Sequence, residues 1–378
     1  MKKRIESPVF DEVIVPVNET VSRAGEGSAV QLGNGNIFFA YSRFSDNMRD
    51  DAPADISSME YDVETGKWID RGVVFKRNAS LNLMSCSLLR LKDKSLALAY
   101  IEKETSYHDH LWISFSFDEA ESWSEPLRIT PEKHDSYYVA NNDRLVQVSS
   151  GRLILPVAIS PKGTESESVN GCFYSDDNGR SWKLSETIRI LPQNIIEPVN
   201  LKDEYRGLWE KLREGGLCNQ EPGVVELSDG SLMMWCRTNG GYMYKSFSED
   251  DGSSWSEYRA DKNIISPCGP QSVKVVPGSS SLLCVYNDHS SFNFAEDPWW
   301  NWRTPLSFAV SDDNGASWNV LGELEGLSHN YCYASILFFD DHALFTYYIS
   351  QNTTDEKGER RFNLAALKAK IIRQEVFL

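Results

Sequence analysis

Between Cys218 and Arg237 the chain reads Cys-Asn-Gln-Glu-Pro-Gly-Val-Val-Glu-Leu-Ser-Asp-Gly-Ser-Leu-Met-Met-Trp-Cys-Arg. A carboxylate, Glu221, opens one apolar run and a guanidinium, Arg237, closes the next. Asp229-Gly230 between such runs is a strong hairpin signal. A hairpin returns the chain to the end it left, so both groups are presented at one mouth of a β structure. Alone they read equally well as a structural ion pair. Other reactive types occur elsewhere in the chain. Arg23 and Glu26 stand before an apolar run, and Ser45–Asp55 carries four aspartates, Asp50 and Asp51 among them. Asn141-Asn142-Asp143-Arg144 offers amides and a carboxylate suited to sugar hydroxyls, or a turn with an ion pair. Asn287-Asp288-His289 ends in either a general base or a hydrogen-bonded structural histidine. Phe292–Trp302 is an aromatic loop that can stack on sugar faces, cover a pocket, pack locally or meet another subunit.

The elements that must position these groups repeat. Hairpins like the first are read at Ser28–Tyr41, Ser87–Tyr100, Arg144–Val157, Ser272–Tyr286 and Ser335–Tyr347, making six copies and signalling a propeller or another repeat array. A second repeat interleaves: Ser175-x-Asp177-x-Gly179-x-x-Trp182, with matching copies ending at Trp255 and Trp318. A fourth copy ends at Trp123 with Ala120 replacing glycine, and Asp62–Trp68 is degenerate. Serine and aspartate oxygens there hold backbone N–H groups, glycine takes positive φ, and tryptophan packs beneath. In an antiparallel meander, the starts of first and third strands and the ends of second strands share one face. The turns between third and fourth strands lie on the other. The face opposite the repeated turns therefore receives Arg23, Glu26, Arg43, the Asp46–Asp55 loop, Met84, Asn141, Asn142, Asp143, Glu221, Arg237, Asn287, Asp288, His289, Arg303, Tyr331 and Tyr333. Such a mouth is the default place for a site. Asp203–Glu214 breaks the pattern, with Tyr205, Leu208, Trp209 and Leu212 at helical spacing.

The repeated turns are Asp boxes, and nearly the whole chain resembles the sialidase-like BNR-repeat proteins. That resemblance implies an all-β fold, a six-bladed β-propeller in a single domain over residues 1–378. An N-terminal strand near Val9–Val15 would close the last blade, whose third strand is expected near Phe362–Leu367. It further implies an arginine clamp on a substrate carboxylate, a Tyr–Glu pair as nucleophile and base, and an aspartate as acid/base. The guanidinium fork matches a carboxylate. A tyrosine avoids the repulsion that an anionic nucleophile would meet beside one. On this resemblance Tyr333 is the nucleophile, with Tyr331 second and expected to point away. Glu221 is its base, Arg237 and Arg303 clamp the anion, and Asp50 or Asp51 is the acid. Arg23 matches less well, because Ala-Gly-Glu-Gly follows it, and Glu26 competes with it for the pocket floor. Asn142, Asp143, Asp288 and His289 have no simple counterpart in that family; their place at the mouth makes them candidate substrate contacts. No metal or organic cofactor is implied.

Composition bounds the partners. A formal net charge of −17 argues against nucleic acid and anionic membranes, and requires any anion site to concentrate its arginines locally. The seven cysteines show no CxxC spacing and mostly fall in expected strands, which favours buried thiols. No signal peptide or membrane span is visible, so a cytoplasmic protein is expected. The expected partner is a carbohydrate bearing a carboxylate. Two alternatives stay open: a propeller lyase or hydrolase acting on uronates, with His289 or a tyrosine as the lyase base, and a glycan-binding propeller without catalysis.

Overall fold

The computed structural model describes residues 3–4, 8–161, 167–199, 201–291, 302–350, 352–354, 360–362 and 365–378. Residues 292–301 of the aromatic loop lie outside them. Strand accounts for 51% and helix for 6%, and the arrangement is an all-β propeller.

The hairpin containing Glu221 shows how each sheet is built. Gln220–Glu226, Leu232–Arg237, Tyr242–Ser248 and Arg259–Ile265 pair in chain order, each antiparallel to the last. The first turn closes because Asp229 accepts hydrogen bonds from the Ser231 N–H (3.0 Å) and hydroxyl (2.7 Å), while Gly230 takes φ +86°, a value that favours glycine. Val224, Leu232, Met234 and Cys236 pack toward the preceding sheet with Val148, Ile154 and Cys172. Val225, Met233 and Trp235 pack toward the following one with Val273, Leu282 and Cys284. Both faces of the sheet are therefore apolar, as stacked blades require.

Among the described residues, the hydrogen bonding does not divide into six separate four-stranded sheets. There are four sheets of four or five strands, one of eight, and a small hairpin of Asn352–Thr354 with Arg360–Phe362. The eight-stranded sheet contains two antiparallel meanders, Arg23–Gln31 to Lys67–Phe75 and Asn82–Arg90 to Leu127–Arg128. They are joined by one parallel residue pair, Ala54 with Asn82. The Asn82 side-chain amide donates to the carbonyls of Asp50 (2.9 Å) and Ala52 (3.0 Å), lacing the aspartate-rich loop to the second meander. Lys3–Arg4 adds an unforeseen parallel strand to Asn319–Glu325.

In the last sheet, Phe10–Val15 pairs antiparallel with Ala366–Arg373. The strand expected near Phe362–Leu367 thus begins later, because Arg360–Phe362 is used in the small hairpin. The helical stretch is a 3-10 turn, Asp203–Tyr205, followed by an α-helix, Arg206–Gly215. Trp209 is buried against the Val224–Tyr244 cluster, with Tyr205 and Leu212 packed beside it, whereas Leu208 is exposed. No helix among the described residues is long and apolar enough to cross a membrane. All seven cysteines are unpaired.

Candidate active site

Strand register separates the two faces. Glu226 pairs with Leu232 and Leu232 with Ser248, where an Asp box begins, while Gln220 pairs with Arg237 at the opposite end. Along the mouth end, the first strands carry a repeated irregularity. Register shifts fall between Gly25 and Ser28, Met84 and Ser87, Gln220 and Gly223, and Cys332 and Ser335. Inside these bulges Glu26, Ser85, Glu221 and Tyr333 have φ of +50°, +59°, +48° and +57°, and Asp143 has +58°. A left-handed backbone at a residue with a side chain is unfavourable by about 1 kcal/mol or more. A bulge adds a residue and re-aims its side chain. Here it turns one side chain of each strand toward the mouth.

The Tyr333 hydroxyl donates to Glu221 Oε1 at 2.9 Å. Arg237 Nη1 donates to Glu221 Oε2 at 2.7 Å and to the Tyr333 oxygen at 3.3 Å, and its Nη2 to Gln220 Oε1 at 3.0 Å. The Arg303 guanidinium lies 5.5 Å from the Tyr333 ring centre. Burial and the Glu221 carboxylate push the phenol well above its usual range, against the two arginines. The tyrosine is therefore a neutral donor whose proton already points at a carboxylate.

A second group lies beside the first. Buried Arg23 donates through Nε to the Tyr348 hydroxyl (2.8 Å), pairs with Glu26, and reaches Asp50 Oδ1 at 2.5 Å. The Glu26 Oε2 also accepts from the Ser85 hydroxyl at 2.6 Å, and burial raises its pKa despite Arg23. Arg23 and Glu26 are thus partners, not competitors. The Asp50 side chain is 69% exposed. Desolvation raises its pKa, but Arg23, helped by Lys103 and Arg303, brings the net direction down. The Tyr348 ring stands edge-on to Tyr333 at 5.8 Å and joins the two groups. Gly25 is needed there, since a Cβ would lie 2.3 Å from the Tyr348 ring.

Other expected site residues are employed elsewhere. Asp51 pairs with Arg49 (3.0 Å), and Arg49 is 78% exposed. Asn142 donates to the carbonyls of Gly27 (2.9 Å) and Tyr333 (3.2 Å), fixing backbone at the axis. Asp143 accepts from Ser28 Oγ (3.0 Å), Lys274 Nζ (3.1 Å) and the Ile336 N–H (3.0 Å), which makes it a cross-link between strands. Buried Asp288 caps the Ser290 N–H at 2.8 Å. His289 is 1% exposed and burial lowers its pKa to about 4. Tyr331 is buried in the core against Tyr347, its hydroxyl 3.1 Å from Ser328 Oγ. A regular strand would place Tyr331 and Tyr333 on one face; the bulge at Tyr333 is what separates them.

Tyr348 and the Cys218–Cys268 contact escaped sequence reasoning, and Arg144 was read only as part of a turn with an ion pair. Tyr348 lacked any motif of its own. Arg144 is buried with its guanidinium 5.6 Å from the Trp235 ring, donating to the Gln271 carbonyl at 2.6 Å. Desolvation lowers its pKa, with Asp143, Glu221 and Tyr333 opposing. The thiols of Cys218 and Cys268 meet beside Arg237, and the contact with Cys218, aided by Arg237 and Arg303, holds Cys268 low at about 5 despite burial. Spacing between distant cysteines gave no signal of that contact.

The model for the BNR repeat-like domain matches residues 44–345. A sialidase from Bacteroides fragilis (strain YCH46) is 23% identical over 252 residues, 64% of this chain; the match spans 39% of that relative's length. Among solved structures, the Ruminococcus gnavus intramolecular trans-sialidase in complex with oseltamivir carboxylate aligns with a TM-score of 0.69 at 14% identity, over 98% of each chain. Trypanosoma rangeli sialidase in complex with sialic acid aligns with 0.67 at 16% identity, over 98% of this chain and 58% of the other. Identities this low speak to the fold, whereas the family match covers most of the sequence. The chain belongs to the sialidase-like BNR-repeat family.

Proposed function

We propose that the protein is an exo-acting glycoside hydrolase of sialidase type, retaining, acting on a terminal acidic sugar of the sialic acid kind. The contact that carries this reading is the 2.9 Å hydrogen bond from Tyr333 to Glu221, with Arg237 bridging both oxygens. In the proposed mechanism the Tyr333 oxygen attacks the anomeric carbon as its proton passes to Glu221. Asp50 protonates the departing glycosidic oxygen. Water then attacks the glycosyl-tyrosine, delivering one proton to Asp50, and Glu221 returns its proton to the phenol oxygen. Arg237, Arg303 and Arg23 hold the substrate carboxylate.

The described residues are read as one propeller domain of six blades, with the eight-stranded sheet counted as two. Support comes from the apolar cluster of Val30, Phe38 and Ile56 with Leu88, Leu98 and Tyr100, which fills the space between its two meanders. A lyase using His289 finds no support, because that ring is buried and lies against the backbone of Trp302 and Thr304.

Tyr333→Phe tests the proposal. Turnover of a sialoside should fall by roughly 10³-fold or more, while affinity for a carboxylate-bearing inhibitor stays within about threefold, since the ring and the arginines remain. Full activity in that variant would overturn the mechanism, as would an unsaturated product from the unmodified protein.

A further inference from the structure

Three of the six histidines gather at one point of the rim. His108 and His110 share a face of the strand His108–Ser116, and His134 comes from the segment before Ser136–Val139. One ring nitrogen from each lies within 4.8 Å of the others. His134 Nε2 and His110 Nδ1 are 3.2 Å apart. Behind them, Glu104 reaches His110 Nε2 at 3.3 Å and His108 Nε2 at 3.6 Å.

The hydrogens in this chain of contacts do not add up. His134 Nδ1 faces the Ser136 carbonyl at 2.9 Å, so it carries a hydrogen and leaves Nε2 with a lone pair. His110 Nε2 faces a carboxylate and must also carry a hydrogen, which leaves Nδ1 with a lone pair. Two neutral rings then point lone pairs at each other across 3.2 Å. Either an extra proton or a metal cation must sit between them.

We propose that His108, His110 and His134 bind a first-row divalent cation of the Zn²⁺ type. His110 supplies Nδ1 and His134 supplies Nε2. The Ser136 carbonyl and Glu104 are the outer partners that set the tautomers, an arrangement common behind metal-bound histidines. Zinc–nitrogen bonds of about 2.0–2.1 Å at tetrahedral angles put ligand nitrogens roughly 3.4 Å apart. The His110–His134 pair already has this spacing, and His108 needs only a side-chain adjustment. Exposure of the Glu104 side chain (48%) and of His108 (31%) leaves a path from solvent. The site stands at the mouth end, where Lys103, next to Glu104 in sequence, donates to the Asp50 carbonyl at 3.2 Å. It does not depend on the catalytic reading above.

Zn²⁺ titration of the metal-stripped protein against a chromophoric chelator provides the test, with X-ray absorption on the loaded protein. One equivalent should bind, with nitrogen scatterers near 2.0 Å and no sulfur near 2.3 Å. His134→Ala and the half-exposed His108→Ala should each weaken binding at least tenfold, and Glu104→Gln by about 10-fold to 100-fold. Each variant's melting curve without metal reports whether it is folded, and the half-exposed His108 position keeps the test available if His134→Ala is not. No binding at micromolar Zn²⁺, unchanged affinity in folded His108→Ala, or sulfur in the metal's shell from Cys218 and Cys268 would each overturn the assignment.

Discussion

A phenol attacks carbon only if its proton leaves as the bond forms, and Tyr333 is held in that condition by a single acceptor, Glu221. Arg237 touches both oxygens, so it both orients the pair and offers charge to a substrate carboxylate. Arg237→Lys should cut kcat/KM by roughly 10²-fold, since a point charge cannot reproduce the fork. Steady-state kinetics would show this, and unchanged turnover would remove the clamp. Asp50 and Asp51 are adjacent in sequence but separate in role. Asp50→Asn should lose roughly 10²–10⁴-fold on substrates with poor leaving groups and much less on activated aryl glycosides. Asp51→Asn, which breaks only a surface pair with Arg49, should change little. The same Asp50 sets an expected pH profile. Its pKa in the free protein is lowered by Arg23, so the protonated acid becomes scarcer as pH rises through that low value. The kcat/KM profile should therefore decline between about pH 5 and 8, and a flat profile there would exclude Asp50 as the acid.

At the scale of elements, two local devices do opposite work. The bulges at Glu26, Ser85, Glu221 and Tyr333 store backbone strain at the mouth, while the Asp boxes at the far end bind their own turns tightly. In the last box, Asp313 Oδ1 accepts from the Ser317 N–H and the Ser311 hydroxyl, both at 2.8 Å, and Oδ2 accepts from the Ser317 hydroxyl at 2.6 Å. These donors hold its pKa at about 2. A depressed carboxylate contributes stability above its unfolded value, near 4, and loses it as pH falls through the folded value. Asp313→Ala should thus lower Tm at pH 7 by a few degrees, with the gap to the unmodified protein closing toward pH 2. A gap independent of pH would mean that the carboxylate charge contributes nothing to that turn.

Across the whole molecule, Asp143 ties together strands that lie far apart in sequence. It bonds to Ser28, Lys274 and the backbone of Ile336, and its own N–H donates to the Cys86 carbonyl at 3.0 Å. These partners sit in the strands Arg23–Gln31, Asn82–Arg90, Ser272–Val275 and Asn330–Phe339, so one carboxylate braces the strands that carry Glu26 and Tyr333. Removing one partner of a buried charged network costs about 3–5 kcal/mol. Asp143→Ala should lose that order of stability in urea unfolding, while the folded fraction keeps its inhibitor affinity. If affinity collapsed with stability unchanged, Asp143 would be a substrate ligand after all. The overall charge of −17 works against an anionic substrate, so the pocket must rely on locally clustered arginines.

What the sequence determined by itself were the properties carried by short-range chemistry. The hairpins, the Asp boxes and their separation from the mouth follow from apolar alternation and turn residues, which act over a few positions. Glu221 and Arg237 were legible because one hairpin turn brings them together, and Tyr333, Arg303 and Asp50 were nameable through the family pattern. The sequence could not show that adjacent aspartates diverge, because that depends on which arginine each one meets. Nor could it show that Asn142 and Asp143 brace the axis. Tyr331 was expected to point away from Tyr333 and does, but through a bulge at Tyr333 that regular alternation does not express. The His108, His110 and His134 cluster had a faint sign in His-x-His, but its third member comes from a segment beyond the next turn. The fusion of two meanders at Ala54 and Asn82 depends likewise on a contact between the starts of two strands far apart in sequence. Such long-range meetings are decided by packing around the ring, since only closure of the propeller brings the first strands to a common axis.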